Sequence, residues 1–163
     1  MPEFTRGLAE CGASVIGAGD QPVGALPDLV KRSLSHYVEL STLWDTGAVI
    51  QDLSRSLRGN SIDRIECLWE PGIMLAAELR KHFGVSGLDV DAARCFRDKE
   101  VMKQALDSAG IRTPRHVAAT TAAACWEAAE RIGFPLILKP IAGAGSADTY
   151  RVEDADDLRA VLP

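Results

Sequence analysis

The residues predict an α/β protein: a doubly wound, parallel-sheet N-terminal domain, followed by the first lobe of an α+β domain. Two observations lead there. Up to about Val90, short apolar runs alternate with segments whose apolar residues recur every three or four positions, the pattern of successive βαβ units. From about Ala92 the character changes to two helical stretches, a short strand ending in lysine, a loop of small residues and a closing helix. The domains are therefore read as residues 1–92 and 93–163.

The elements follow in order. Phe4 and Leu8 mark the apolar face of a helix ending near Gly12, and Ala13 to Gly17 reads as a buried strand. Leu26 to Leu34 is helical with Pro27 near its first turn, and Tyr37 to Leu40 is a second strand. Asp45 to Arg58 places Val49, Leu53 and Leu57 at spacing four before Gly59. Arg64 to Trp69 reads as a third strand, Pro71 opens a helix bearing Leu75, Leu79 and Phe83, and Val85 to Leu88 reads as a short fourth strand. A sheet of this kind normally begins with a strand, whereas this chain begins with a helix. The expectation is that the first strand lies upstream or has been lost, leaving an open edge prone to self-association.

In the second half, Phe96 to Ala109 is expected as one helix stopped by Gly110, with Val117 to Ala119 extended. Thr121 caps an Ala-rich helix ending at Gly133. Leu136 to Lys139 is a strand broken by Pro140, and Thr149 to Val152 follows the small-residue loop. Asp154 and Asp157 open a last helix through Leu162 in the manner of a capping box.

Composition narrows the function. A net charge of −5 and a pI near 5.2 argue against nucleic acid as the main partner, because gripping a phosphate backbone needs a basic face. No apolar run approaches the roughly 20 residues of a membrane span, and the N-terminus lacks the apolar core of a signal peptide. Cys11, Cys67, Cys95 and Cys125 are too widely spaced for a zinc site and fit reduced thiols in a cytoplasmic protein.

Two segments could carry chemistry. Gly133-Phe134-Pro135-Leu136-Ile137-Leu138-Lys139-Pro140 leads into Gly143-Ala144-Gly145-Ser146. An ammonium among apolar neighbours is costly to desolvate unless an anion meets it. A glycine-containing loop can lay its N–H groups against phosphate oxygens. A snorkelling lysine beside an ordinary hairpin loop would give the same local pattern. In Arg97-Asp98-Lys99-Glu100-Val101-Met102-Lys103, Lys99 occupies a first helical turn, where a cation opposes the helix dipole and an anion would compensate it. Lys103, one turn on, is expected on a solvated face paired with Glu100.

Other motifs fail. Gly17-Ala18-Gly19 begins like a dinucleotide fingerprint, but Pro22 stands where the third glycine belongs, and no P-loop motif is present. His36, His82 and His116 form no ligand spacing and read as surface histidines. Glu70, between an expected strand end and a helix, could face a ligand, though a capping role suits it better.

The ordered set Phe96-Arg97-Asp98-Lys99, Ala109-Gly110-Ile111-Arg112-Thr113-Pro114, Ile132-Gly133-Phe134-Pro135, Lys139-Pro140 and Gly143-Ala144-Gly145-Ser146 resembles the start of the ATP-grasp fold. Biotin carboxylase, carbamoyl-phosphate synthase and carboxylate–amine ligases share that run. The part before Val90 looks like the Rossmann-like domain that precedes ATP-grasp domains. The resemblance implies that Lys99 reaches the nucleotide phosphates, that Lys139 contacts the α-phosphate region and borders the adenine pocket, and that Gly143, Gly145 and Ser146 close over the phosphates. It implies ATP and Mg²⁺ as cofactors, with metal ligands and adenine hinge past position 163. No catalytic residue is assigned here, and the chain alone is expected not to turn over. The implied reaction is carboxylate activation through an acyl phosphate and capture by an amine or similar nucleophile. The implied partners are ATP and a small-molecule carboxylate, with no nucleic acid, no membrane and a homo-oligomer left open. The alternatives are a non-catalytic nucleotide-binding or regulatory module and a biotin-carboxylase-like carboxylase. The interspersed Ala144 and Ala147 make the loop leaner in glycine than that of biotin carboxylase.

Overall fold

The computed structural model describes residues 2–162. They divide into two compact units, the first ending at Asp89 and the second beginning at Val90.

In the first unit, helix α1 (Pro2–Glu10) precedes strand β1 (Ile16–Gly19). A short 3₁₀ turn at Val23–Ala25 leads to α2 (Asp28–Ser33), then β2 (His36–Glu39) and α3 (Thr46–Ser56). A second 3₁₀ turn at Glu70–Gly72 runs into α4 (Ile73–Phe83). Strands β1 and β2 pair in parallel, Ile16 opposite His36 and Gly19 opposite Glu39. The expected β1 was Ala13 to Gly17, and the ladder lies a few residues later. Gly17 and Gly19 fall inside it because Tyr37 and Leu34 press on the strand. A Cβ at Gly17 would stand 2.8 Å from Leu34 Cδ1, and one at Gly19 would stand 2.8 Å from the Tyr37 hydroxyl. These glycines leave room for the Leu34 and Tyr37 side chains.

The core is built by the spacing read from the sequence. Val49, Leu53 and Leu57, one turn apart on and just after α3, are buried with Val38, Leu40 and Leu79, and Leu75 and Phe83 pack against them. Each fully buried side chain of this size stabilises the fold by about 1.5–3 kcal/mol. The Asp45 side chain accepts from the Ala48 N–H and starts α3. Gly84, at φ 67°, ends α4 in the left-handed conformation.

Two expected strands are absent as ladders. Residues 64–69 and 85–88 belong to no sheet among the described residues. Arg80 takes up their carbonyls instead. Its Nε donates to the Ile65 carbonyl at 2.8 Å, one terminal nitrogen donates to the Leu88 carbonyl at 3.2 Å, and the other lies 3.2 Å from Glu66 Oε2. A guanidinium with several donors in one plane can bridge two extended segments. The close approach requires Gly87, where a Cβ would lie 2.9 Å from Arg80 Cδ.

The second unit contains α5 (Val90–Arg97), α6 (Lys99–Ser108), α7 (Ala122–Ile132), β3 (Leu136–Leu138), β4 (Tyr150–Val152) and α8 (Ala155–Val161). The single helix expected from Phe96 to Ala109 is two helices, because Asp98 leaves the helical conformation (φ −99°, ψ 111°) and caps α6. Its carboxylate accepts the N–H groups of Glu100 and Val101. Strands β3 and β4 are antiparallel, with Leu136 opposite Val152 and Leu138 opposite Tyr150. One face of the pair packs on α7 and α8: Val152, Leu158 and Ala129 are buried with Trp126, Leu136 and Leu138 against them. Asp154 caps α8, and Asp157 returns the bond to the Glu153 N–H, one residue earlier than a standard capping box.

Candidate functional site

The site is assembled from the α5–α6 junction and the segment between β3 and β4. Lys99 is the first residue of α6, and Asp98 fixes the backbone before it. Its N–H donates to the Ile141 carbonyl at 3.1 Å, and its Nζ donates to the carbonyls of Gly143 at 3.1 Å and Ile141 at 3.4 Å. Arg97, the last residue of α5, donates to the Ala142 carbonyl at 2.7 Å and to the Gly143 carbonyl at 3.4 Å. The cation placed against the α6 dipole is thus met by carbonyl dipoles of the glycine-rich loop.

The loop has the backbone freedom its composition suggests. Gly145 adopts φ 60°, and Ser146 and Asp148 adopt φ 61° and 52° despite carrying side chains. A non-glycine residue in that region costs on the order of 1 kcal/mol, which the surroundings must supply. A Cβ at Gly143 would stand 3.3 Å from Pro140 Cβ, so that turn is tight as well. Among the described residues, the N–H groups of Ala144, Gly145 and Ser146 donate to no protein acceptor. Unspent donors in a row are the chemical requirement for holding an anion.

Lys139 follows directly on β3 and is exposed, with no ion pair or side-chain hydrogen bond among the described residues. Leu136 and Leu138 point into the core, so strand alternation places Lys139 with Ile137 on the open face. Ile137 is 54% exposed there, and the opposing Arg151 pairs with Glu153 at 2.6 Å. This face combines an apolar surface with an uncompensated cation. Lys103 differs from its expectation. Its Nζ donates to the Pro114 carbonyl at 3.2 Å, while Glu100 holds Gln104 at 2.9 Å. Glu100 also lies 3.8 Å from His116, which stands at the same distance from Asp107.

Lys99 is therefore brought to the loop of Gly143, Gly145 and Ser146, whereas Lys139 belongs to the strand leading into it. Sequence reasoning missed the part played by Arg97. The local signal that could have found it was its place directly before the helix-capping Asp98.

A cationic helix start, a donor-rich glycine loop and a lysine at the end of β3 are the features that the resemblance to ATP-grasp proteins led one to expect together. Residues 98–162 match the family described as carbamoyl-phosphate synthase L chain, ATP binding domain, which is an ATP-grasp domain. It is 32% identical over 95 residues to the carbamoyl phosphate synthase large chain, N-terminal section, of Aquifex aeolicus, covering 52% of this chain and 17% of that one. It is 28% identical over 100 residues to the L-arginine-specific L-amino acid ligase of Bacillus subtilis, covering 61% of this chain and 24% of that one. The fold superposes on the crystal structure of an L-amino acid ligase from Bacillus licheniformis with a TM-score of 0.81 at 20% identity, over 99% of this chain and 38% of that one. The chain thus spans well under half the length of each of these relatives.

Proposed function

We propose that this chain supplies the phosphate-binding part of an ATP-dependent ligase, which activates a small-molecule carboxylate as an acyl phosphate for capture by an amine. The observation that carries the reading is the row of unspent N–H donors at Ala144 to Ser146 beside Lys99, with Lys139 uncompensated just after β3. In this reading Lys139 neutralises charge near the α-phosphate and Ile137 offers apolar surface to the base. The loop donors take phosphate oxygens, and Lys99 exchanges the Gly143 carbonyl for phosphate. Phosphoryl transfer is mostly positioning and charge stabilisation, so these are the contributions such residues can make. The amine is supported by the resemblance to a protein described as an L-amino acid ligase.

Mg²⁺ customarily accompanies ATP in such reactions and would spread the phosphate charge. Among the described residues no group of three His, Cys, Asp or Glu side chains could hold a metal ion, so no ligand is assigned and no step is drawn through it. No helix of the described residues is long and apolar enough to cross a membrane. The four free cysteines support a reducing, cytoplasmic setting.

Calorimetric titration of the chain with ATP tests the reading. Lys139→Ala should weaken binding by about tenfold or more, because a charge-assisted contact is lost. Lys103→Ala removes one exposed bond to a carbonyl and should cost no more than about fivefold. Equal losses in the two variants, or no ATP binding by the unaltered chain, would refute it.

A further inference from the structure

Three successive carbonyls of the loop are held by one short cationic stretch. Lys99 takes Ile141 and Gly143, and Arg97 takes Ala142 and Gly143. The single cis bond among the described residues precedes Pro135, so the peptides of this stretch are trans. In a trans peptide the C=O and the following N–H point in opposite directions. Holding the carbonyls of 141, 142 and 143 on the cationic side therefore turns the N–H groups of Ala142, Gly143 and Ala144 away from it. At the base of the unspent row, the Ala144 N–H is thus oriented by the hydrogen bonds on the other side of its own peptide.

The two cations are not equivalent in this. A guanidinium can fork across two neighbouring carbonyls, and Arg97 does so, whereas the ammonium of Lys99 is a compact charge that swings on a flexible stem. If Lys99 leaves Gly143 for a phosphate oxygen, the Ala142 and Gly143 carbonyls keep their orientation only through Arg97. Asp98 between them, capping α6, holds the spacing.

We propose that Arg97 is a positioning residue that anchors the base of the glycine-rich loop, so that Lys99 is free to exchange a loop carbonyl for phosphate. The exchange rests on the ATP-binding reading above, but the anchoring does not. Two measurements on the 163-residue chain separate them. The first is the rate of elastase cleavage after Ala142, Ala144 and Ala147 without nucleotide, mapped by mass spectrometry. Arg97→Gln should raise it by about tenfold, and Arg97→Lys should give an intermediate rate because an ammonium cannot fork two carbonyls. The second is ATP affinity by calorimetry, which should fall in the same order. An unchanged cleavage rate in folded Arg97→Gln, or full protection in Arg97→Lys, overturns the anchor. Should Arg97→Gln fail to fold, Arg97→Lys carries the test alone. Increased cleavage together with unaltered ATP affinity overturns the link to phosphate binding. Absence of ATP binding by the unaltered chain defeats the functional reading, and the cleavage rates still decide the anchor.

Discussion

Arg80 is the residue whose loss the first unit should feel most. It is 7% exposed, yet it spends its donors on the Ile65 and Leu88 carbonyls and on Glu66. Truncation would leave two part-buried carbonyls without their donor and open a gap against Gly87. We expect Arg80→Ala to lower the unfolding free energy by about 2–4 kcal/mol, with Arg80→Lys recovering less than half. Urea unfolding followed by far-UV circular dichroism would measure this, and a loss below 1 kcal/mol, a typical value for a surface residue, would contradict it. Tyr37 is another polar side chain engaged by the fold. Burial, with Glu39 and Asp20 nearby, raises its phenol above the ordinary value, and its hydroxyl donates to the Gln21 carbonyl.

At the scale of elements, the junction between β2 and α3 carries a pH-sensitive tie. Asp52 on α3 accepts both the N–H and the hydroxyl of Ser41, at 3.0 and 2.9 Å. Those bonds, the N–H foremost, hold its carboxyl below the usual carboxylate range, with Arg55 adding to the effect. A carboxylate with a depressed folded-state pKa stabilises the fold above its unfolded pKa of about 3.9, and that contribution disappears as pH falls through the lower folded value. Stability attributable to this group should thus be flat from neutral pH to about pH 5 and decline below about pH 4. Comparing the urea midpoint of Asp52→Asn with that of the parent at each pH isolates it. The difference between the two should shrink as acid is added, and a difference that stays constant to pH 2 would show that Ser41 does not stabilise the charged form.

For the molecule as a whole, small sheets and exposed apolar surface set the behaviour in solution. Each sheet among the described residues has two strands, so every strand has a free edge. Trp44 and Phe96 are 73% and 71% exposed, and Trp44 meets Trp69 edge-on with ring centroids 5.5 Å apart. Unpaired strand edges beside apolar surface recruit other chains, and a net charge of −5 opposes this only at long range. We expect the weight-average mass from light scattering to rise with concentration, and to rise more steeply at high salt, where the repulsion is screened. A monodisperse monomer at high concentration and high salt would refute this.

The sequence by itself determined most of the helices, the α3 core stripe, the β3–β4 pair of extended segments and the presence of a cationic motif and a glycine-containing loop. These depend on neighbours one to four positions apart, where periodicity, caps and glycine stops act directly on the backbone. It also spoke against a dinucleotide fingerprint, because Pro22 is visible without a fold. What it could not decide was which extended segments find ladder partners. Residues 64–69 look like a strand by composition, but pairing needs a neighbour at the right distance, and here a guanidinium from α4 took the carbonyls instead. The break at Asp98 was missed for a related reason, since capping competes with helix continuation and the outcome turns on what holds the flanking side chains. Only the tertiary structure brings Arg97 and Lys99 onto carbonyls more than forty positions away. A contact across that separation leaves no local pattern, so its identity rests on the packing of the whole second unit and not on any run of residues within it.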